Sequence, residues 1–196
     1  KFKIRIKKNI PIKSGLGGGS MNAANILSYL ISKKIVKTTQ KEIIKISKLV
    51  GSDVLLGLDS TNSILNSKNK IKRFTDCRKI YTLIVKPNLG CSTKKIYSKI
   101  RKFDKPKLNK LSKDMFNLNN LKKMTNSLEP IALSMHSSIK RIKIFLESST
   151  HAEFVRMTGS GSALVAYFYS KGKCDIAKKR FNKKYKNYWC ISSKTI

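Results

Sequence analysis

The chain first shows its plan in the spacing of its apolar side chains. From Met21 to about Lys34, Ala23, Ala24, Leu27, Leu30 and Ile31 recur at helical intervals. A second helix is predicted from Thr39, where Glu42 three residues on makes a capping box; Ile43, Ile46 and Val50 share one face and Gly51 is a natural stop. Short strand-like pieces follow at 62–66 and 71–74. "IYTLIVKPNLG" (80–90) reads as a strand ending in a turn, and 92–100 as a helix capped by Ser92 or Thr93. Residues 102–127 are rich in lysine and asparagine, with Pro106 as a break, and suit loops with at most one helix. One long helix is predicted over 130–148, opened by Pro130, with Ile131, Met135, Ile139, Ile142 and Phe145 on its stripe. Two strand-like runs in 154–169, joined by a Gly/Ser loop, a helix near 173–183 and a strand near 188–192 complete an α+β order. A boundary falls near 75–80, giving units of 1–78 and 79–196.

The first residues alternate Lys or Arg with apolar side chains and read as a strand over 1–7, not as a signal peptide. A chain that opens on Lys1 inside a strand-like run suggests a fragment whose upstream part is absent. The longest apolar run, Ala163–Tyr169, is far too short for a membrane helix. With 40% hydrophobic residues in 196, the expectation is a globular, cytoplasmic protein without membrane contact.

Charge changes the picture less than its size suggests. The net charge is +33, but 36 of the 43 basic residues are Lys, and they are spread along the whole chain. Arg is the better fork for phosphate and base edges. A solvated basic surface with non-specific attraction for nucleic acid is therefore expected; a selected RNA-binding surface is the competing reading. Cys77, Cys91, Cys174 and Cys190 lack CxxC spacing and predict neither a zinc site nor a disulfide framework.

The chemistry gathers at "PIKSGLGGGSM" (11–21). A helix N-terminus carries unpaired N–H groups and partial positive charge, and glycines before it let the backbone wrap an anion. No Lys follows the glycines, which excludes a Walker loop, and Ser20 stands where GxGxxG needs its third glycine. Taken alone, such a run also suits a surface turn. Asp53, two residues beyond a helix-ending glycine, can project into a cleft or simply be a solvated turn residue. "TGSGS" (158–162) can likewise be an ordinary hairpin turn.

Four stretches change that balance: 9–24, "GSDVLLGL" (51–58), "VKPNLGCSTKKIY" (85–97), and "NSLEPIA" (126–132) with "MTGSGSALVAYF" (157–168). In this order they resemble the signatures of the GHMP small-molecule kinases. The triple glycine and "NSLEP" favour the members acting on a cytidine-diphosphate-linked methylerythritol over those acting on another small alcohol.

The resemblance implies a two-domain α+β fold, with a truncated ribosomal-protein-like first domain and a ferredoxin-like second domain. It implies ATP as co-substrate, with Mg²⁺, although no residue is assigned as a metal ligand. The ATP loop would comprise Pro11, Ile12, Lys13, Ser14, Gly15, Leu16, Gly17, Gly18, Gly19, Ser20 and Met21. Asp53 would be the catalytic carboxylate, and Gly159, Ser160, Gly161 and Ser162 a supporting loop. Two positions depart from the family pattern: Met21 replaces a serine and Leu55 a proline. The family's catalytic lysine and cytidine-holding residues would lie upstream of Lys1, in a possible missing N-terminal segment, and Lys1, Lys3, Lys7 and Lys8 do not take their place. Poor stability and little activity of the 196-residue chain alone are expected on this view; a degenerate, non-catalytic protein is the further alternative.

Overall fold

A computed structural model of the chain describes residues 3–51, 53–66, 70–101 and 111–196. Helix α1, Gly18–Ser32, begins three residues before the apolar periodicity does. Glycines have no side chains to pattern, so the start is set by Gly17, whose left-handed backbone (φ 66, ψ 14) turns the chain into the helix. Helix α2, Gln40–Val50, has the predicted box: Glu42 Oε2 accepts the Thr39 N–H at 2.7 Å and Thr39 Oγ1 accepts the Glu42 N–H at 3.3 Å.

Its predicted apolar face is not its buried face. Ser47 is fully buried, whereas Val50 and neighbouring Leu49 are 61% and 80% exposed. The helix packs on α1 and on a one-turn helix, α3 (Val54–Gly57), which together cover only a narrow strip of it. Residues 3–7 form no strand, and Ile4 and Ile6 are exposed, because no described strand pairs with them. Residues 1 and 2 of that expected strand lie outside the described residues. So do 102–110 of the expected loop region; its remainder holds a 3₁₀ turn, Lys113–Phe116, and helix α5, Leu118–Lys123.

Two sheets are present among the described residues. Strands β1 (Asn62–Leu65) and β2 (Ile71–Phe74) form an antiparallel hairpin. The second sheet is built from β3 (Tyr81–Lys86), β4 (Phe154–Met157), β5 (Leu164–Phe168) and β6 (Trp189–Lys194), in spatial order β4-β5-β3-β6 and antiparallel throughout. Helix α4 (Thr93–Tyr97), capped by Ser92, follows β3, and α8 (Lys171–Lys184) joins β5 to β6.

The predicted long helix is two: α6 (Glu129–Met135) and α7 (Ser137–Ser149), separated by His136 in an extended conformation. The apolar stripe runs through the break, so periodicity could not reveal it. The break lets α7 lay Ile139, Ile142 and Leu146 on the sheet while α6 turns away with Met135 exposed. The core lies here, where Leu83, Val85, Leu164, Ala166 and Phe168 meet α7 and the Cys174–Ala177–Phe181 face of α8. Cys77, Cys91, Cys174 and Cys190 are all free thiols, as expected, and burial pushes Cys174 and Cys190 up to about 11. No helix among the described residues is long and apolar enough to cross a membrane.

Candidate active site

The two glycine loops, some 145 residues apart in sequence, are locked backbone to backbone. Three successive carbonyls of the first accept from the second: Lys13 from the Ser162 N–H (3.3 Å), Ser14 from the Ala163 N–H (3.0 Å) and Gly15 from Thr158 Oγ1 (3.0 Å). The approach is so close that a Cβ at Gly15 would stand 2.2 Å from the Thr158 carbonyl oxygen. Gly15 and Gly17 both have positive φ, 74 and 66. With its carbonyls engaged on that side, the loop rises into the start of α1. There the first N–H groups lack intrahelical carbonyls, and Gly17 has no side chain to cap them.

Asp53 reaches this point from the far end of α2. Its Oδ2 lies 3.8 Å from where a Gly17 Cβ would stand, and its side chain is exposed to solvent. The turn that carries it is held against α1 by packing at two glycines. A Cβ at Gly51 would meet Ser20 Oγ at 3.2 Å, and one at Gly57 would meet Met21 Sδ at 2.7 Å. Together the loops and Asp53 line a cleft of about 930 Å³. Lys7, Lys8 and Lys13 line it with Asp53 as the one carboxylate among the described residues, so its charge suits an anion carrying several negative oxygens.

Pro11 through Ser20 all line the cleft, as do Gly159, Ser160 and Gly161. Met21 does not: its thioether packs on Gly57 and helps join α1 to α3. Ser162 lies fully buried behind the loop, donating to the Leu89 carbonyl at 2.6 Å. Sequence reasoning missed Asn9, Ile10, Asn22, Cys91, Ser92, Thr93 and Tyr97, which complete the wall among the described residues, and set Lys7 and Lys8 aside. Thr93 Oγ1 meets Ser160 Oγ at 2.9 Å, so the β3–α4 turn steadies the second loop. Cys91 is buried in the core, and burial holds its thiol above its ordinary value.

Two residues behind the cleft fix the second loop to the core. Asn126 Nδ2 donates to the Met157 and Gly159 carbonyls (2.9 and 2.8 Å). Glu129 Oε2 accepts the Met157 N–H at 2.6 Å, while its Oε1 pairs with Lys143 at 3.2 Å. In sequence Glu129 suits the N-terminus of a helix; its reach back to β4 had no local signal. His136 and His151 line no part of the cleft.

This fold, with two facing glycine loops over a helix N-terminus and an aspartate beside them, is that of a GHMP kinase. The family description "GHMP kinases N terminal domain" matches residues 1–65. The chain is similar to 4-diphosphocytidyl-2-C-methyl-D-erythritol kinase of Pelagibacter ubique, with 47% identity over all of this chain and 70% of the relative. It is also similar to the kinase of the same name from Clostridium tetani, with 32% identity over 98% of this chain and 70% of the relative. A solved structure of 4-(cytidine 5'-diphospho)-2C-methyl-D-erythritol kinase superposes with a TM-score of 0.77 at 22% identity, covering 95% of this chain and 68% of that one. A homoserine kinase from Cytophaga hutchinsonii shares the fold at a TM-score of 0.65 and 15% identity, covering 96% of this chain and 68% of that one. The chain belongs to the 4-diphosphocytidyl-2-C-methyl-D-erythritol kinases, a branch of the ATP-dependent GHMP small-molecule kinases.

Proposed function

We propose that this chain, as the greater part of a protein of its relatives' length, transfers the γ-phosphoryl group of ATP to the 2-hydroxyl of 4-diphosphocytidyl-2-C-methyl-D-erythritol, a step of non-mevalonate isoprenoid precursor synthesis, in the cytoplasm. The acceptor is taken from the names of the relatives. The observation that carries the chemistry is the meeting of the Asp53 carboxylate with Gly17 at the open end of α1. Phosphoryl transfer asks chiefly for positioning and charge neutralisation, with a carboxylate beside the attacking oxygen. On this reading the N–H groups of the Pro11–Ser20 loop and the first turn of α1 hold the phosphates, and the 159–161 loop closes the opposite wall. Asp53 accepts the hydroxyl proton as that oxygen bonds to phosphorus and ADP leaves.

Mg²⁺ would arrive with the nucleotide. Among the described residues no group of three or more His, Cys, Asp or Glu could cage a metal ion, which suits a cation held mainly by phosphates and water. The Ser20 hydroxyl, which lines the cleft, is the group that would reach its shell, and the ion would neutralise developing phosphate charge. The strand order β4-β5-β3-β6 supports a ferredoxin-like unit within 79–196, and the family match over residues 1–65 supports the truncated ribosomal-protein-like unit within 1–78. The spread of lysines supports only non-specific contact with nucleic acid.

The test is ADP release from ATP with the cytidine-diphosphate-linked acceptor, for the chain and for Asp53→Asn, each joined to the N-terminal segment of a relative. The variant is expected to lose about 10²- to 10⁴-fold in kcat while binding ATP as the parent does. Turnover within about threefold of the parent would remove Asp53 from the chemistry.

A further inference from the structure

Lys86, the last residue of β3, is 8% exposed. Lysine is almost never buried to that degree without an acidic partner, because an ammonium taken out of water loses hydration that only a counter-charge and good hydrogen bonds restore. Among the described residues no carboxylate pairs with Lys86. Its Nζ instead donates to the Pro87 and Leu89 carbonyls, both at 2.9 Å. Burial draws its pKa below the ordinary lysine value.

The place of this charge is informative. The Leu89 carbonyl that receives Lys86 also receives Ser162 Oγ at 2.6 Å, so one oxygen joins the lysine to the second glycine loop. The next residue meets the first loop: a Cβ at Gly90 would stand 2.6 Å from Lys13 Cβ. Cys91, one residue further, lines the cleft. A neutral side chain could hold the 87–90 turn by hydrogen bonds alone. A buried cation adds a field that solvent screens poorly, and the turn it braces leads directly into Cys91 at the cleft wall.

We propose that Lys86 is a positioning residue for an anionic ligand: its buried ammonium braces the 87–90 turn beneath both glycine loops and supplies a fixed positive charge whose counter-charge is a bound polyphosphate. The inference rests on the nucleotide reading of the cleft. It makes ligand charge, not ligand shape, the quantity to which Lys86 responds.

The experiment is a calorimetric titration of the whole chain with adenosine, AMP, ADP and ATP, for the parent and for Lys86→Met. The variant is expected to lose about tenfold in ATP affinity, less for ADP, and less than about twofold for adenosine. A merely structural lysine would weaken all four alike, and that result, or unchanged ATP affinity, overturns the proposal. Lys86→Gln, which keeps an N–H donor for the carbonyls but no charge, is expected to give the same ladder. The parent chain offers a reading that needs no variant. With ¹³C-labelled lysine, the Lys86 ammonium should move to higher pH when ADP is added, and a fixed titration overturns the proposal. A parent chain that binds none of the nucleotides would instead sink the nucleotide reading itself, a failure distinct from that of Lys86.

Discussion

Gly15→Ala should be among the most damaging single-methyl additions in the molecule. The new Cβ would lie 2.2 Å from the Thr158 carbonyl oxygen, 2.8 Å from the Gly161 nitrogen and 3.0 Å from the Gly161 oxygen, all of them backbone atoms. Reaching ordinary contact would require a backbone movement of more than about 1 Å. That movement would break the Thr158 Oγ1 bond to the Gly15 carbonyl and loosen the neighbouring Lys13 and Ser14 links. The left-handed backbone at φ 74 adds about 1–2 kcal/mol for any residue with a Cβ, and the overpacking about 1–3 kcal/mol. The expected loss is about 2–5 kcal/mol, large against a total of roughly 5–15 kcal/mol for a domain. Gly19→Ala is the internal control: nothing lies within 4 Å of its Cβ and it sits in α1, so stability should rise by about 0.5 kcal/mol. Urea unfolding of the two variants beside the parent decides the matter. A Gly15→Ala chain within about 0.5 kcal/mol of the parent would refute the claim that the loops interlock at this glycine.

Two further outcomes are expected. Glu129→Gln removes one of the two carboxylates that face Lys143 while leaving an acceptor for the Met157 N–H; because Glu147 and the Val155 carbonyl still hold Lys143, thermal or urea unfolding should show a loss of about 1–2 kcal/mol. Glu42 has its pKa drawn below 4.5, chiefly by the hydrogen bond from the Thr39 N–H, then by the Thr39 and Thr38 hydroxyls. A carboxyl with a depressed folded pKa contributes stability above its unfolded pKa that is lost as the pH falls through the folded one. Protection of the backbone amides of α2, corrected for the intrinsic pH dependence of exchange, should therefore fall below about pH 4.5 in the parent and show a weaker pH response in Glu42→Gln.

The lines of the site that could be read in the chain were those with a local cause. The capping box at Thr39 and Glu42 is decided within one turn of helix, and the structure has it as expected. The strands at 62–65, 71–74, 81–86, 154–157 and 164–168 also lie where their apolar runs and turns put them. The run 11–20 could be read as an anion loop because glycine spacing before a helix is itself the chemical device, and all ten residues line the cleft. Elsewhere the pattern misled for identifiable reasons. The stripe through 130–148 was continuous, but a helix has no local record of where its neighbours end, and it breaks at His136. Alternation over residues 3–7 has the period of a strand, yet a strand exists only where another supplies its hydrogen bonds, and none described does.

By itself, then, the sequence determined the periods of most of its helices and strands, the cap at Thr39, and the bare backbone before α1. Those properties follow from side chains and dihedral preferences within a few residues of one another. Only the tertiary structure decided that Gly15 lies against Thr158, that Asp53 stands beside Gly17, that Glu129 reaches Met157 and that Lys86 is buried under both loops. Each joins residues distant along the chain, and each depends on close packing at a glycine or on exclusion of water from a charge. Such conditions arise only when the whole molecule has closed.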